Sequence, residues 1–295
     1  MKSLLDTLRE KGVLLSDGAW GTLLHQRGLQ PGECPQIWTI THREDVLAVA
    51  KGYIDAGSDL ILNNSFGANP VTLEHYGLGE SAVEINMAAA SISREAAGDD
   101  HLVLGSIGPS GKLLMMGEIT EDILFEGFRL QAESLKIGGV DAICIETMAA
   151  LDEACIAIRA AKEATNLEVA CTFTFERSAN GEYRTIMGVS PEEMVSAVKK
   201  AGADVIGTNC GNGVTEMLEI VRIIRQIDTS TPLLVQANAG KPLYENGKTI
   251  FPEQPEIMAA KVTELIRSGA NIVGGCCGTT PEHIRVLARE IRKQK

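Results

Sequence analysis

The 295-residue sequence predicts an α/β protein: a single (β/α)8 TIM barrel with a short N-terminal helix, one domain over residues 1–295. Eight short apolar segments recur along the chain, each leading through a polar loop into a segment with apolar residues at three- and four-residue spacing. Short buried strands alternating with helices imply parallel βαβ units. No Pro/Ser-rich linker or composition break divides the chain, and no GxGxxG follows the first strand, so a doubly wound dinucleotide-binding sheet lacks its usual fingerprint.

MKSLLDTLREKG at the start reads as a short amphipathic helix with charges throughout, not as an apolar signal segment. Strands are expected at 12–18, 59–66, 101–108, 141–147, 168–175, 204–210, 232–240 and 271–277. Between them, HREDVLAVAKGYIDAG, DILFEGFRLQAESLKIGG, SPEEMVSAVKKAGA, TEMLEIVRIIRQI and PEIMAAKVTELIRSGA carry helical periodicity. One junction recurs with nearly fixed letters: AGSDLIL at 56, GGVDAIC at 138, AGADVIG at 201 and SGANIVG at 268. In each, Gly ends a helix where a left-handed residue is cheap, and an acidic or amide residue leads into the next strand. In TTPEH, Thr279 or Thr280 is expected to cap the last helix, with Pro281 in its first turn.

Composition narrows the function. A formal net charge of -12 argues against a surface that neutralises phosphates or anionic lipids, so no nucleic acid and no membrane partner is expected. No apolar stretch approaches the roughly 18 residues of a transmembrane helix, which points to a cytoplasmic protein. Seven cysteines, an odd number without a secretory signal, fit reduced thiols better than a disulfide framework.

In a (β/α)8 barrel the active site lies at the C-terminal ends of the strands. Asp17 ends strand 1, Asn63 to Ser65 strand 2, Glu146 strand 4, Cys210 strand 6, Asn238 strand 7, and Cys276-Cys277 strand 8. Strands 6 and 8 flank strand 7, close enough for three thiolates to meet one ion. Three cysteines hold a tetrahedral zinc with one position open, the mark of a catalytic site. Neighbouring strand residues point to opposite faces, so the vicinal pair serves one ion only if the backbone turns there; Gly274, Gly275 and Gly278 are expected to allow it. The alternatives are a strained vicinal disulfide or inert buried thiols, and Asp17 and Glu146 could be capping or ion-paired acids. Cys34, Cys144, Cys155 and Cys171 read as core thiols, Cys144 being the credible rival ligand.

DGAWGT at 17, NNSFGAN at 63, GSIGPSG at 105, IET at 145, GTNCGNG at 207, ANAGKP at 237 and GGCCGTTPEHI at 274 together resemble the homocysteine S-methyltransferase family. NAGKP followed by ENGKT, with GGCCGTTPEHI, is most similar to the homocysteine-binding module of cobalamin-dependent methionine synthase. The resemblance implies Zn2+ on Cys210, Cys276 and Cys277 and a methyl group moved to the thiolate of homocysteine. It places Asp17, Gly18, Ser65 and Glu146 around the amino-acid substrate, with Asn238 shaping the pocket. It also implies methylcobalamin on a separate corrinoid protein as donor, because EIRKQK follows the eighth unit without folate, cobalamin or activation modules. Other donors (S-methylmethionine, S-adenosylmethionine, a betaine type), a different acceptor or the reverse direction, and a non-catalytic zinc- or thiol-binding barrel remain the competing readings.

Overall fold

The computed structural model describes residues 2–245 and 248–293. Eight strands form one sheet: β1 (Leu14–Leu15), β2 (Leu60–Ile61), β3 (Leu102–Ile107), β4 (Ala142–Met148), β5 (Glu168–Phe173), β6 (Val205–Asn209), β7 (Leu233–Ala237) and β8 (Ile272–Gly275). The ladder runs in order from β2 to β8 and returns to β1, every pair parallel. All eight expected strands are present, and helices surround them as in a TIM barrel.

Side chains facing the barrel axis fill its lower half: Leu14, Leu60, Leu62, Leu102, Leu104, Ala142, Cys144, Ala170, Val205, Leu234 and Ile272 are all buried. Leu4 and Leu8 join this cluster from the N-terminal helix Leu4–Lys11, which plugs the lower end. The Glu168 carboxylate, at the start of β5, accepts from the Leu4 N–H at 2.5 Å and the Ser3 hydroxyl at 2.7 Å. A carboxylate against the first free amides of a helix satisfies donors that have no partner within the helix and faces its positive end.

The repeated junction has a specific structural use. Its glycines, Gly57, Gly139, Gly202 and Gly269, all have φ between 102° and 112°, the left-handed geometry that ends a helix. The acid or amide two residues on forms a clasp with the strand before it. Asp59, Asp141, Asp204 and Asn271 each donate their N–H to the carbonyl of Leu15, Val103, Val169 or Leu233. Each also accepts that same residue's N–H on its side chain, at 2.9, 2.9, 2.7 and 3.0 Å respectively. A cation from an earlier helix completes every clasp: Lys11 on Asp59, Arg94 on Asp141, Lys162 on Asp204, and Arg225 on Asn271. The even-numbered strands thereby pin β1, β3, β5 and β7.

This matters most at the seam. β1 and β2 are two residues each and have no ladder between them. The Asp59 clasp closes the seam below, and above it Asp17 Oδ2 accepts from the Leu62 N–H at 2.8 Å. Two side-chain carboxylates and the single Asp59 N–H to Leu15 carbonyl bond stand in for a ladder there.

Two antiparallel hairpins stand in the loops after β5 (Glu176–Arg177 with Tyr183–Arg184) and after β7 (Leu243–Glu245 with Lys248–Ile250). ERSANGEYR lacks the apolar alternation that marks a strand, so the periodicity missed the first. Of ENGKT, Asn246 and Gly247 lie outside the described residues. No helix among the described residues is long and apolar enough to cross a membrane.

The clasp predicts a graded loss of stability. Asp204→Ala strands the Val169 N–H, leaves the Lys162 ammonium with the Leu167 carbonyl alone, and should cost about 1–3 kcal/mol. Asp204→Asn should cost clearly less, since Asn271 performs the same duty as an amide. Urea midpoints of the two variants give the comparison; equal losses would show that the side-chain acceptor is not what pins β5.

Candidate active site

Cys210 follows β6 directly, with a left-handed φ of 60°, and Gly211 follows with φ 73°. The turn reverses the chain at the strand's end and brings the Cys210 sulfur toward β8. There Cys276 and Cys277 follow Gly275, the Cys276 N–H bonded to the Ala237 carbonyl at 2.7 Å and the Cys277 carbonyl to the Ala239 N–H at 3.0 Å. Of the three glycines expected to free this turn, only Gly278 has a left-handed φ, 80°. Gly274 and Gly275 serve close approach: a Cβ would lie 2.7 Å from Ser16 Cβ in the first case and 2.3 Å from Thr279 Oγ1 in the second.

The three sulfurs lie within 4.8 Å of one another, and among the described residues this is the one group of three or more His, Cys, Asp or Glu donors so placed. Cys144 belongs to the apolar cluster inside the barrel and is not part of the group, and the seven cysteines are all free. Cys210 and Cys277 Sγ are 3.8 Å apart. Two sulfurs on a tetrahedral zinc with bonds of about 2.3 Å stand about 3.8 Å apart, so the donor set fits that ion in type and spacing. Hydrogen bonds from Cys276 and then Cys277 hold the Cys210 thiol far below its usual range, to about 3. The same sharing keeps Cys276 well above the range and pushes Cys277 up to about 12. A divalent ion held by the three sulfurs would draw off the protons they share. Asn238 also bonds to the Cys210 sulfur, and its Oδ1 is buried without a hydrogen-bond partner, an oxygen donor left over beside the sulfurs.

The cysteines open onto a cavity of about 260 Å³ lined by Asp17, Gly18, Trp20, Asn63, Ser106, Glu146 and Gln236, among others. A larger groove, about 1110 Å³, runs along 70–76 and 118–130, but it contains none of the cysteines. The smaller cavity combines the sulfur cluster with both buried carboxylates. Burial pushes Glu146 up to about 7, against a hydroxyl bond from Ser106 and aided by the charges of Asp17 and Cys210. Burial likewise raises Asp17 to about 6, although Trp20, Leu62 and Ser16 all bond to it. Asp17 is therefore largely occupied by the protein, whereas Glu146 Oε2 has one long contact, 3.4 Å from Asn209 Nδ2.

The other expected residues stand close by with different duties. Gly18 has no room for a Cβ, which would meet Thr279 Oγ1 at 2.5 Å. Ser65 lies behind the cavity wall, its single hydroxyl proton shared between Asn63 Oδ1 at 2.5 Å and the Ser106 carbonyl at 2.7 Å. Asn238 borders the sulfurs and does not line the cavity. Two cavity-lining amides have buried polar atoms without a partner: Asn63 Nδ2, from the expected end of strand 2, and Gln236 Oε1, which sequence reasoning left out. The available signal was a polar residue inside an apolar strand, as in LLVQA. His283, in the first turn of the last helix, bonds to the Thr280 cap and to the Glu253 carbonyl, fixing that helix to the loop after β7.

Comparison with known proteins places the chain in a family. The chain is 30% identical over 310 residues to the methionine synthase of Mycobacterium leprae (strain TN), an alignment covering 98% of this chain and 25% of the relative. It is 30% identical over 312 residues to that of Mycobacterium tuberculosis (strain ATCC 25618 / H37Rv), covering 99% and 26%. The chain thus spans about a quarter of the length of these relatives. The fold matches the metallated form of the homocysteine methyltransferase MmuM from Escherichia coli with a TM-score of 0.80 at 22% identity, over 97% of this chain and 99% of that one. A methyltransferase from Methanosarcina mazei matches with a TM-score of 0.62 at 13% identity, over 99% and 97%. Residues 14–291 match the homocysteine S-methyltransferase family, and the chain belongs to it.

Proposed function

We propose that this protein transfers a methyl group to the sulfur of homocysteine, giving methionine, with zinc held by Cys210, Cys276 and Cys277. The observation that carries the reading is the opening of a three-sulfur cluster into the same small cavity as Glu146 and Asp17. Homocysteine has a thiol at one end and an ammonium at the other, and this cavity presents a complement to each. Zinc bound by three thiolates supplies a fourth position at which the substrate sulfur is deprotonated at neutral pH yet remains electron-rich.

The chain's own residues do the rest. Glu146 receives the substrate ammonium; with its ionisation displaced to about 7, it is readily charged by an arriving cation. Asp17 lends its field to the same spot while holding the β1–β2 seam. Gln236 Oε1 offers the ammonium a second acceptor, and Asn63 Nδ2 offers the substrate carboxylate a donor. Methyl transfer to a thiolate needs no further acid or base, so alignment of sulfur with donor carries the rate.

We assign methylcobalamin on a separate corrinoid protein as the donor, on the likeness of NAGKP and GGCCGTTPEHI to methionine synthase. The same reading treats residues 1–295 as one catalytic domain working in the cytoplasm, where seven free thiols stay reduced.

Zinc-loaded protein incubated with homocysteine and a panel of donors, methylcobalamin included, should form methionine with at least one of them. Absence of methionine with every donor would refute the homocysteine assignment. Cys276→Ala should lose most bound zinc, measured by metal analysis, and nearly all turnover; full zinc retention would show the ligand set to be wrong. Glu146→Gln should separate binding from stability. A carboxyl raised from 4.5 to about 7 contributes stability that is complete below pH 4.5 and lost as pH rises through 7. The metal-free wild type should therefore lose up to about 3 kcal/mol that the Gln variant keeps between pH 5 and 8.5. Thermal unfolding across that range reads the difference, while homocysteine affinity should fall at least tenfold in the variant.

A further inference from the structure

Asn209 ends β6, is fully buried, and touches both halves of the site. Its Oδ1 accepts from the Thr147 N–H at 2.9 Å and the Thr172 hydroxyl at 2.8 Å. Its Nδ2 faces three acceptors: Thr147 Oγ1 at 2.8 Å, Glu146 Oε2 at 3.4 Å and Cys276 Sγ at 4.0 Å. An amide has two N–H groups. The bond to Thr147 uses one of them, at short distance. The second stands between a carboxylate and a sulfur, at full bonding distance from neither.

The oxygen side of the amide has a structural duty. Thr147 has φ 62°, an unusual conformation for a β-branched residue, and its N–H and hydroxyl are both bonded to Asn209. This turn directs the Glu146 side chain, one residue earlier, into the cavity. The nitrogen side is free for another purpose, since neither Glu146 nor Cys276 needs it to hold the backbone.

We infer that Asn209 is a positioning residue that couples the two ends of the substrate site: its second N–H passes from Glu146 to the Cys276 sulfur when an ammonium occupies Glu146. The inference rests on the zinc and homocysteine reading above. An ammonium brings its own hydrogen bonds to the carboxylate and makes the amide N–H redundant there. A metal-bound thiolate at Cys276 is a stronger acceptor than a thiol and draws the N–H toward itself. Each event favours the other, so an amino acid that reaches only the Glu146 end should tighten the metal site. By linkage the metal should tighten that amino acid by the same factor.

The test uses 2-aminobutyrate, which is homocysteine without its sulfur, and Co2+ titrated into the metal-free protein and followed by thiolate-to-cobalt absorption. In the wild type, saturating 2-aminobutyrate should tighten Co2+ binding about fivefold, and Co2+ should tighten 2-aminobutyrate equally. Asn209→Asp keeps oxygen acceptors for Thr147 and Thr172 but removes the amide donor. It should fold, judged by circular dichroism, bind each ligand, and show a coupling factor near one. Coupling of wild-type size in this variant would overturn the inference. A second readout needs no substitution: in the wild type, 2-aminobutyrate should shift one Asn209 side-chain amide proton in the cobalt-free, zinc-loaded protein. An unmoved amide resonance at saturation would also overturn it. Failure of the wild-type cysteines to bind Co2+, by contrast, would refute the metal-site reading itself.

Discussion

Everything at the mouth of this barrel depends on how its strands are started at the other end. A parallel strand begins with a backbone N–H that needs an acceptor, and a buried one left unpaired costs about 1–3 kcal/mol. Asp59, Asp141, Asp204 and Asn271 supply that acceptor from the neighbouring strand, and a Lys or Arg from an earlier helix steadies each side chain. The clasps fix register in pairs of strands, and a slip of one residue would exchange the faces of every side chain above. Cys210 and Cys276 lie one residue beyond the ends of β6 and β8, so their meeting point is set by that register.

The β1–β2 seam links this scaffold to the site. No β1–β2 ladder forms there; the Asp59 N–H meets the Leu15 carbonyl at the lower end, and Asp17 accepts from Leu62 at the upper end. The same carboxylate lies in the cavity wall, bonded to Trp20 and raised by burial. Barrel closure and the negative potential of the pocket therefore use one side chain. Glu146, with fewer bonds from the protein, is left with capacity for a ligand. Division of labour between two buried acids follows from how many donors each already has.

Backbone strain marks where the site was assembled. Among described residues, the non-glycine positions with left-handed φ are Thr147, Asn166 and Cys210; Asn166 ends a helix, and the other two stand beside Glu146 and Asn209. Both turns stand at the end of a strand, where the regular alternation of faces stops. Such geometry persists only where neighbours hold it, and Asn209 is that neighbour for Thr147.

The sequence by itself determined the eight strands, their order, the helix-ending glycines and the residues that reach the mouth, because burial periodicity and helix-stop chemistry are local. It also located Cys210, Cys276 and Cys277 at strand ends, where barrel geometry brings distant residues together. Only the tertiary structure decided what depends on pairs far apart in the chain. The acid at each junction looked like a strand-start signal, and its acceptor role appeared once Val103 and Val169 lay beside Asp141 and Asp204. Ser65 turned out to bond behind the wall, and Gln236 and Asn209 to face the site, because one polar letter in a strand does not say which partner it will meet. Hydrogen-bond satisfaction is a property of the assembled barrel: it can be counted only when every donor and acceptor has its neighbours.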